Sequence, residues 1–174
     1  MSEEIALTIR QANKSDAAAL LALSQTVAKE TDFLIMDEYG MGLSEALLAK
    51  QLELLANANN QLLLLAFDGS NCIGAASIKG NEEYRIEHIG EVGIFILKDY
   101  WSLGIGSILM EELIDYAKAV GCFKRLELTV QARNIPAIHL YQKFGFVKEG
   151  TLKYGAKLSS GKLVDVYLYA KYFE

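Results

Sequence analysis

The sequence predicts an α/β fold built on a mixed central sheet, and three observations lead there. Ile105, Ile108, Leu109, Leu113, Tyr116, Ala117 and Val120 follow a 3.6-residue period, the mark of an amphipathic helix over 105–120. The apolar run 86–97 precedes that helix, and the alternating Leu126, Leu128 and Val130 follow it. The three segments form a strand–helix–strand unit, which demands a parallel crossover. The chain has 174 residues, is 52% hydrophobic and holds one proline, a profile for one well-buried core.

The remaining elements read in order along the chain. A short strand is expected at 7–10. Ser15 is suited to cap a helix that carries Leu20, Leu21, Leu23 and Val27 and ends near Lys29. Residues 31–42 mix Phe33, Leu34, Ile35 and Met36 with Asp37, Glu38, Gly40 and Gly42. They have no period and read as an irregular connection. Ser44 opens a second helix, which the asparagine-rich stretch 57–60 stops. Two apolar runs, 62–67 and 72–79, flank Asp68-Gly69-Ser70-Asn71, a hairpin signal. A polar loop at 80–84 leads to the long strand 86–97, interrupted by Gly90 and Gly93. Glycines there mark a bulge or the close approach of a ligand to the backbone.

Gly121 ends the amphipathic helix, and 125–130 is the next strand. Pro136 suits the first turn of a helix that runs to Phe144, with Gly145 as its carboxyl cap. Residues 146–153 and 163–170 complete the set. The sum is about seven strands and about four helices in one domain, residues 1–174.

Charge and composition exclude several function classes. Lys and Arg number 17 against 22 Asp and Glu, a formal net charge of −5, and no basic run appears. A nucleic-acid partner is therefore not expected, whereas an acidic surface suits a cationic amine. Met1-Ser2-Glu3-Glu4 is acidic, unlike a secretory leader, and the apolar stretch 62–67 is far shorter than a membrane span. A cytoplasmic protein with no membrane partner is expected. Cys72 and Cys122 lie in apolar surroundings and read as reduced thiols, and the two histidines stand far apart, so no metal is expected.

Chemistry gathers at two places. In the first, Trp101-Ser102-Leu103-Gly104-Ile105-Gly106-Ser107 joins the end of a strand to the start of the amphipathic helix. Free N–H groups at a helix start, with the positive end of the dipole behind them, form an anion site, and glycines let a phosphate approach. The same glycines also suit a plain tight turn. The loop lacks the Gly-Lys-Ser/Thr ending of a nucleotide P-loop and does not follow the first strand of a dinucleotide fold. In the second place, spacing sets Asn134, Ala137 and Tyr141 on one helix face. The Tyr141 phenol either reaches an adjacent space or sits in the core, bonded to the backbone.

Taken together, Tyr100-Trp101 through Gly104-Ile105-Gly106, then 125–130, then Asn134, Ala137, Leu140-Tyr141 and Gly145-Phe146, resemble the GNAT superfamily of N-acetyltransferases. Glu149-Gly150 and Asp165-Val166-Tyr167 resemble a bacterial branch of it. The resemblance implies a GNAT-like mixed sheet with a splayed parallel strand pair at the cofactor site. It implies acetyl-CoA as cosubstrate, no metal, and transfer to an amine-bearing small molecule or peptide, with a homodimer left open. It puts Val92, Gly93, Ile94, Phe95 and Ile96 along pantetheine. Leu103, Gly104, Ile105, Gly106 and Ser107 would hold the phosphates. Asn134 would contact the cofactor and Tyr141 would protonate the departing thiolate. One departure stands out: the family often carries Gln or Arg where this chain has Trp101.

The acceptor sets the remaining demand. An amine of pKa about 10.4 costs roughly 4–5 kcal/mol to present neutral at pH 7, an α-amine near 8 only about 1–1.5. Glu91 is the first candidate for a general base and His88 the second, with an N–H such as that of Ile94 available to an oxyanion. By resemblance, the segment 31–42 forms one wall of the acceptor site. There Asp32, Asp37 and Glu38 either bind a cation or are solvated. The competing readings are a non-catalytic acetyl-CoA-binding regulatory domain and a nucleotide-binding α/β domain.

Overall fold

The computed structural model describes residues 4–174; the acidic start at residues 1–3 lies outside the described residues. Seven strands form a sheet in the order β1-β2-β3-β4-β5-β7-β6. They are β1 (Leu7–Gln11), β2 (Gln61–Asp68), β3 (Asn71–Lys79), β4 (Ile89–Ile96), β5 (Arg125–Gln131), β6 (Val147–Lys157) and β7 (Leu163–Tyr172). Among the described residues four α-helices accompany them: α1 (Ala17–Glu30), α2 (Glu45–Ala56), α3 (Ile105–Val120) and α4 (Ile135–Lys143). Every neighbouring pair is antiparallel except β4 with β5, which are parallel as the strand–helix–strand pattern demands.

The sheet separates two cores. On one face, Leu109, Met110 and Leu113 of α3 pack with Ile78, Val92, Leu126 and Leu128, and α4 adds Ile138 and Tyr141. On the other, Leu20, Leu23 and Val27 of α1 pack with Leu48 and Leu52 of α2 over Leu65 and Ala75. Periodicity built both cores: a helix buries one stripe, and a strand between two helical layers buries both faces.

Two boundaries differ from the sequence expectation. Ser15 does not cap the first helix. It lies within a single 3-10 turn (Lys14–Asp16) that Asn13 caps and that leads into α1, whose own N-cap position is Asp16. The Asn13 side chain accepts the Ser15 N–H at 2.9 Å, and Asp16 accepts the Asn13 N–H at 2.8 Å. That reciprocal box satisfies two orphan donors at once, which Ser15 alone would not. The fourth strand starts at Ile89 rather than 86, because 86–88 are held in turns by Ile86 N–H to Glu83 O and Ile89 N–H to Ile86 O.

Of the two readings of the β4 glycines, the bulge does not apply, since the register with β3 runs unbroken from Glu91 opposite Lys79 to Ile96 opposite Gly74. Gly90 instead serves packing. A Cβ there would lie 2.9 Å from side-chain atoms of Ile78, Leu126 and Phe123. The last strands run longer than expected, β6 to Lys157 and β7 to Tyr172, with irregular register near Gly150 and Tyr154.

Candidate active site

The site begins where the sheet opens. β4 and β5 pair only at Ile89–Arg125, Gly90–Leu126 and Glu91–Glu127. Beyond Glu91, β4 stays with β3 and β5 stays with β7, so the two part and leave a wedge-shaped cavity of about 490 Å³. The Leu97 N–H donates to Ile73 O on β3 at 2.9 Å. Peptide groups alternate along a strand, so Ile96, Ile94 and Val92 turn theirs toward the wedge. The Trp101 indole N–H occupies the Ile96 carbonyl at 2.7 Å. Val92, Gly93, Ile94, Phe95 and Ile96 all line the cavity.

The loop after β4 closes one end. Gly104 adopts φ +82 with open space around its α-carbon, so conformation alone demands glycine there. No side chain caps α3, and the Ile108 N–H is the first to reach back, to Gly104 O at 3.2 Å. The N–H groups of Ile105, Gly106 and Ser107 are left without helical partners, at the positive end of a 16-residue helix. Gly104, Ile105 and Gly106 line the cavity. Leu103, 53% exposed, and Ser107 stand outside the lining. The Ser107 hydroxyl accepts from Lys143 Nζ at 3.0 Å, which brings a cation from the end of α4 to the helix start. Sequence reasoning missed Lys143 because no local pattern links it to Ser107.

Helix α4 supplies the opposite wall. Asn134 caps it, accepting the Ala137 N–H at 3.4 Å, and Asn134, Ala137 and Tyr141 all line the cavity, as their spacing predicts. The Tyr141 ring is buried against Phe146, centroids 6.0 Å apart. Among the described residues its hydroxyl has no hydrogen-bond partner, so the alternative of a core tyrosine tied to the backbone does not hold. Burial pushes its pKa up to about 12, so the phenol remains a proton donor at neutral pH.

Glu91 approaches from the other face of the sheet. Val92 packs with the α3–α4 core, so its neighbour Glu91 projects to the α1–α2 side, where Phe95 also packs. Tyr141 belongs to the α3–α4 core. The carboxylate and the phenol therefore flank the wedge from opposite faces. Gly93 shares the Glu91 face, where an added Cβ would meet a single atom, Ser77 Oγ, at 3.2 Å. His88 lies at the closed end of the strand pair and does not line the cavity; its carbonyl accepts the Lys124 and Arg125 N–H groups.

The irregular segment supplies a further wall of the cavity that Glu91 lines. Thr31, Phe33, Leu34, Ile35 and Met36 line the cavity. Asp32 does not; it pairs with Arg133, whose hydrogen bond holds the Asp32 carboxyl below the usual carboxylate range. Gln131 completes this clamp, donating to Asp32 O at 2.7 Å and accepting from Arg133 Nε at 2.8 Å. Arg133 also lies over Phe33, and Phe33 stands 6.3 Å from Trp101, which links the segment to the loop before α3. Gly40 fixes the far end: a Cβ there would sit 2.6 Å from Ser24 Oγ, which accepts the Met41 N–H. Asp37 and Glu38 are exposed and outside the lining.

Among the described residues no cluster of His, Cys, Asp and Glu is arranged to hold a metal ion, and no helix is long and apolar enough to cross a membrane.

Comparison with known proteins places this geometry. Over 109 residues, 63% of this chain and 66% of the relative, the sequence is 36% identical to the L-amino acid N-acetyltransferase AaaT of Escherichia coli. It is 34% identical over 80 residues to the N-acetyltransferase p20 of Bacillus licheniformis, spanning 46% of this chain and 44% of that one. The chain thus spans about half to two thirds of these curated relatives. An acetyltransferase of the GNAT family from Streptococcus pneumoniae superposes with a TM-score of 0.93 at 44% identity, covering 96% of this chain and 99% of that one. The Salmonella typhimurium protein yncA, solved with its cofactor acetyl-CoA, shares the fold at a TM-score of 0.81 and 19% identity, over 97% and 95% of the two chains. Residues 21–146 match the model of the acetyltransferase (GNAT) family, and the chain belongs to that family.

Proposed function

We propose that this protein, acting as one domain over residues 1–174, is an acetyl-CoA-dependent N-acetyltransferase that acetylates a primary amine by direct attack in a ternary complex. The observation that carries the reading is the wedge: strands that part after Glu91, next to a helix start with uncapped N–H groups. The fit to acetyl-CoA rests on that geometry. An amide-bearing arm finds the free main-chain groups of Val92 and Ile94, and a diphosphate finds the N–H groups of Gly104, Ile105, Gly106 and Ser107 with Lys143 beside them. Asn134, at the head of α4, contacts the arm from the opposite wall, and Gly93, Phe95 and Ile96 line its track. Leu103 shields the phosphates from outside.

When bound, acetyl-CoA supplies an activated thioester. The chain supplies the rest. Glu91 takes the proton of the incoming ammonium, directly or through one water, a role worth about 10²–10⁴ in rate. The wedge holds the amine in line and sheds its water. Tyr141, a phenol that burial keeps protonated well above neutral pH, donates to the leaving sulfur from the other face. The E. coli relative, an L-amino acid N-acetyltransferase, supports the amine as acceptor class. A cytoplasmic setting belongs to this reading, and the free thiols of Cys72 and Cys122 suit it.

The test combines two measurements on the purified protein: thermal stabilisation by acetyl-CoA, and thiol release across a panel of primary amines. Stabilisation with release for at least one amine is the expected result. Stabilisation with no release for any amine would instead favour a regulatory acetyl-CoA-binding domain.

A further inference from the structure

We infer that the acceptor is a primary amine with one positive centre on an uncharged, apolar body; the inference rests on the acetyltransferase reading. Three observations carry it. Among the described residues lining the cavity, Glu91 is the one side chain with a formal charge at neutral pH. A second cationic centre, as in a polyamine, finds no second carboxylate there: Asp32 is held by Arg133, and Asp37 and Glu38 stand outside the lining.

The converse holds for an anionic substituent. Arg133 is the cation bound to the wall at 31–36, and its guanidinium is already engaged by Asp32, by Gln131 and by the Phe33 ring. The α-carboxylate of a free amino acid would enter an apolar wall without a partner, next to the negative Glu91. Covered by these side chains the carboxylate would give up water for no partner, and left in water it would gain nothing from the wall.

The third observation is the wall itself. Phe33, Leu34, Ile35 and Met36 are consecutive and all line the cavity, and Ile35 is 94% exposed. Four apolar residues in a row, one fully open to water and in the same lining as Glu91, make a surface that an apolar group would cover. An α-amine whose neighbouring carbonyl is an amide meets the same demand. Its source is then either a small amino-acid amide or a peptide amino terminus.

The test compares acceptors of matched shape with acetyl-CoA: isopentylamine, leucinamide, a short peptide beginning with leucine, leucine and spermidine. Expected is a kcat/KM for isopentylamine or leucinamide about tenfold or more above those for leucine and spermidine. Calorimetric binding of leucinamide and leucine to the protein with coenzyme A present should follow the same order. A peptide that surpasses leucinamide would identify an amino terminus as the source, within the same chemistry. Preference for leucine or spermidine would overturn the inference and leave the acetyltransferase reading intact. Release from none of them, or from no amine at all, would overturn it as well, and the second result removes the enzyme reading too. As a second readout, Ile35→Lys at this exposed position should narrow the leucinamide-to-leucine ratio at least threefold, by giving the carboxylate a partner. An unchanged ratio would count against the wall.

Discussion

The guanidinium carbon of Arg133 lies 4.5 Å from the centroid of the Phe33 ring, while the same side chain pairs with Asp32 next door. One arginine on the loop after β5 thus fixes two consecutive residues of the segment that crosses the cavity. Removing it should loosen the acceptor wall without touching the strand edge or the helix start. Arg133→Ala is expected to raise the amine KM about fivefold and to lower stability by about 1–2 kcal/mol, the scale of a partly exposed cation–π contact plus an ion pair. Steady-state kinetics and thermal melts check both. Arg133→Lys keeps the charge but not the fork, and should recover only part of the loss.

Tyr141 supplies a sharper expectation. Tyr141→Phe should lower kcat about a hundredfold while leaving acetyl-CoA affinity within about threefold, because the phenol acts on the leaving group and its ring still packs on Phe146. Rapid-quench rates and calorimetric titration separate the two effects. An unchanged rate would remove the assigned acid.

The same residue links stability to pH. Its pKa rises from 10.0 to about 12 on folding, so the folded state keeps a proton that the unfolded chain has lost. The sign follows: its contribution is fully present below pH 10 and is lost as pH rises through 12. Wild-type melting temperature should fall over that window more steeply than that of Tyr141→Phe.

Two glycines of one strand should respond in opposite ways. Gly90→Ala drives a methyl group into Ile78, Leu126 and Phe123, and is expected to cost about 1–3 kcal/mol of stability. Gly93→Ala meets only the Ser77 hydroxyl, so the fold should tolerate it, whereas a methyl group in the cavity beside Glu91 should impair amine turnover. Melts and kinetics on the pair distinguish packing from access.

Glu91→Gln should lower the rate about a hundredfold at neutral pH. The deficit should be smaller for an α-amine of pKa near 8 than for an amine near 10.4, which needs the base more. A uniform small loss across both would assign Glu91 to binding alone.

How much of this was legible beforehand depended on range. Helix α3, its glycine opening, the face shared by Asn134 and Tyr141, and the parallel pair are written in local periods and turn residues, and they could be read directly. Asn13 and Ser15 are both good caps, and the choice fell to Asp16, which accepts the Asn13 N–H and two bonds from Arg10. The clamp was not legible: Gln131 and Arg133 meet Asp32 across 99 and 101 residues of sequence. Nor were the contacts of Trp101. Where the family often carries Gln or Arg, this indole donates to the Ile96 carbonyl and neighbours Phe33, while Lys143 brings a charge to the helix start.

That tryptophan, the only one in the chain, offers the most direct measurement. Its indole sits between the end of β4 and the loop before α3, where the coenzyme is expected to lie. Titration of its fluorescence with acetyl-CoA should give a saturable change with one site per chain, and ATP or NAD should give none at the same concentration. A flat response to acetyl-CoA, with no thermal stabilisation either, would contradict the central claim that the parted strands and the uncapped helix start form its binding site.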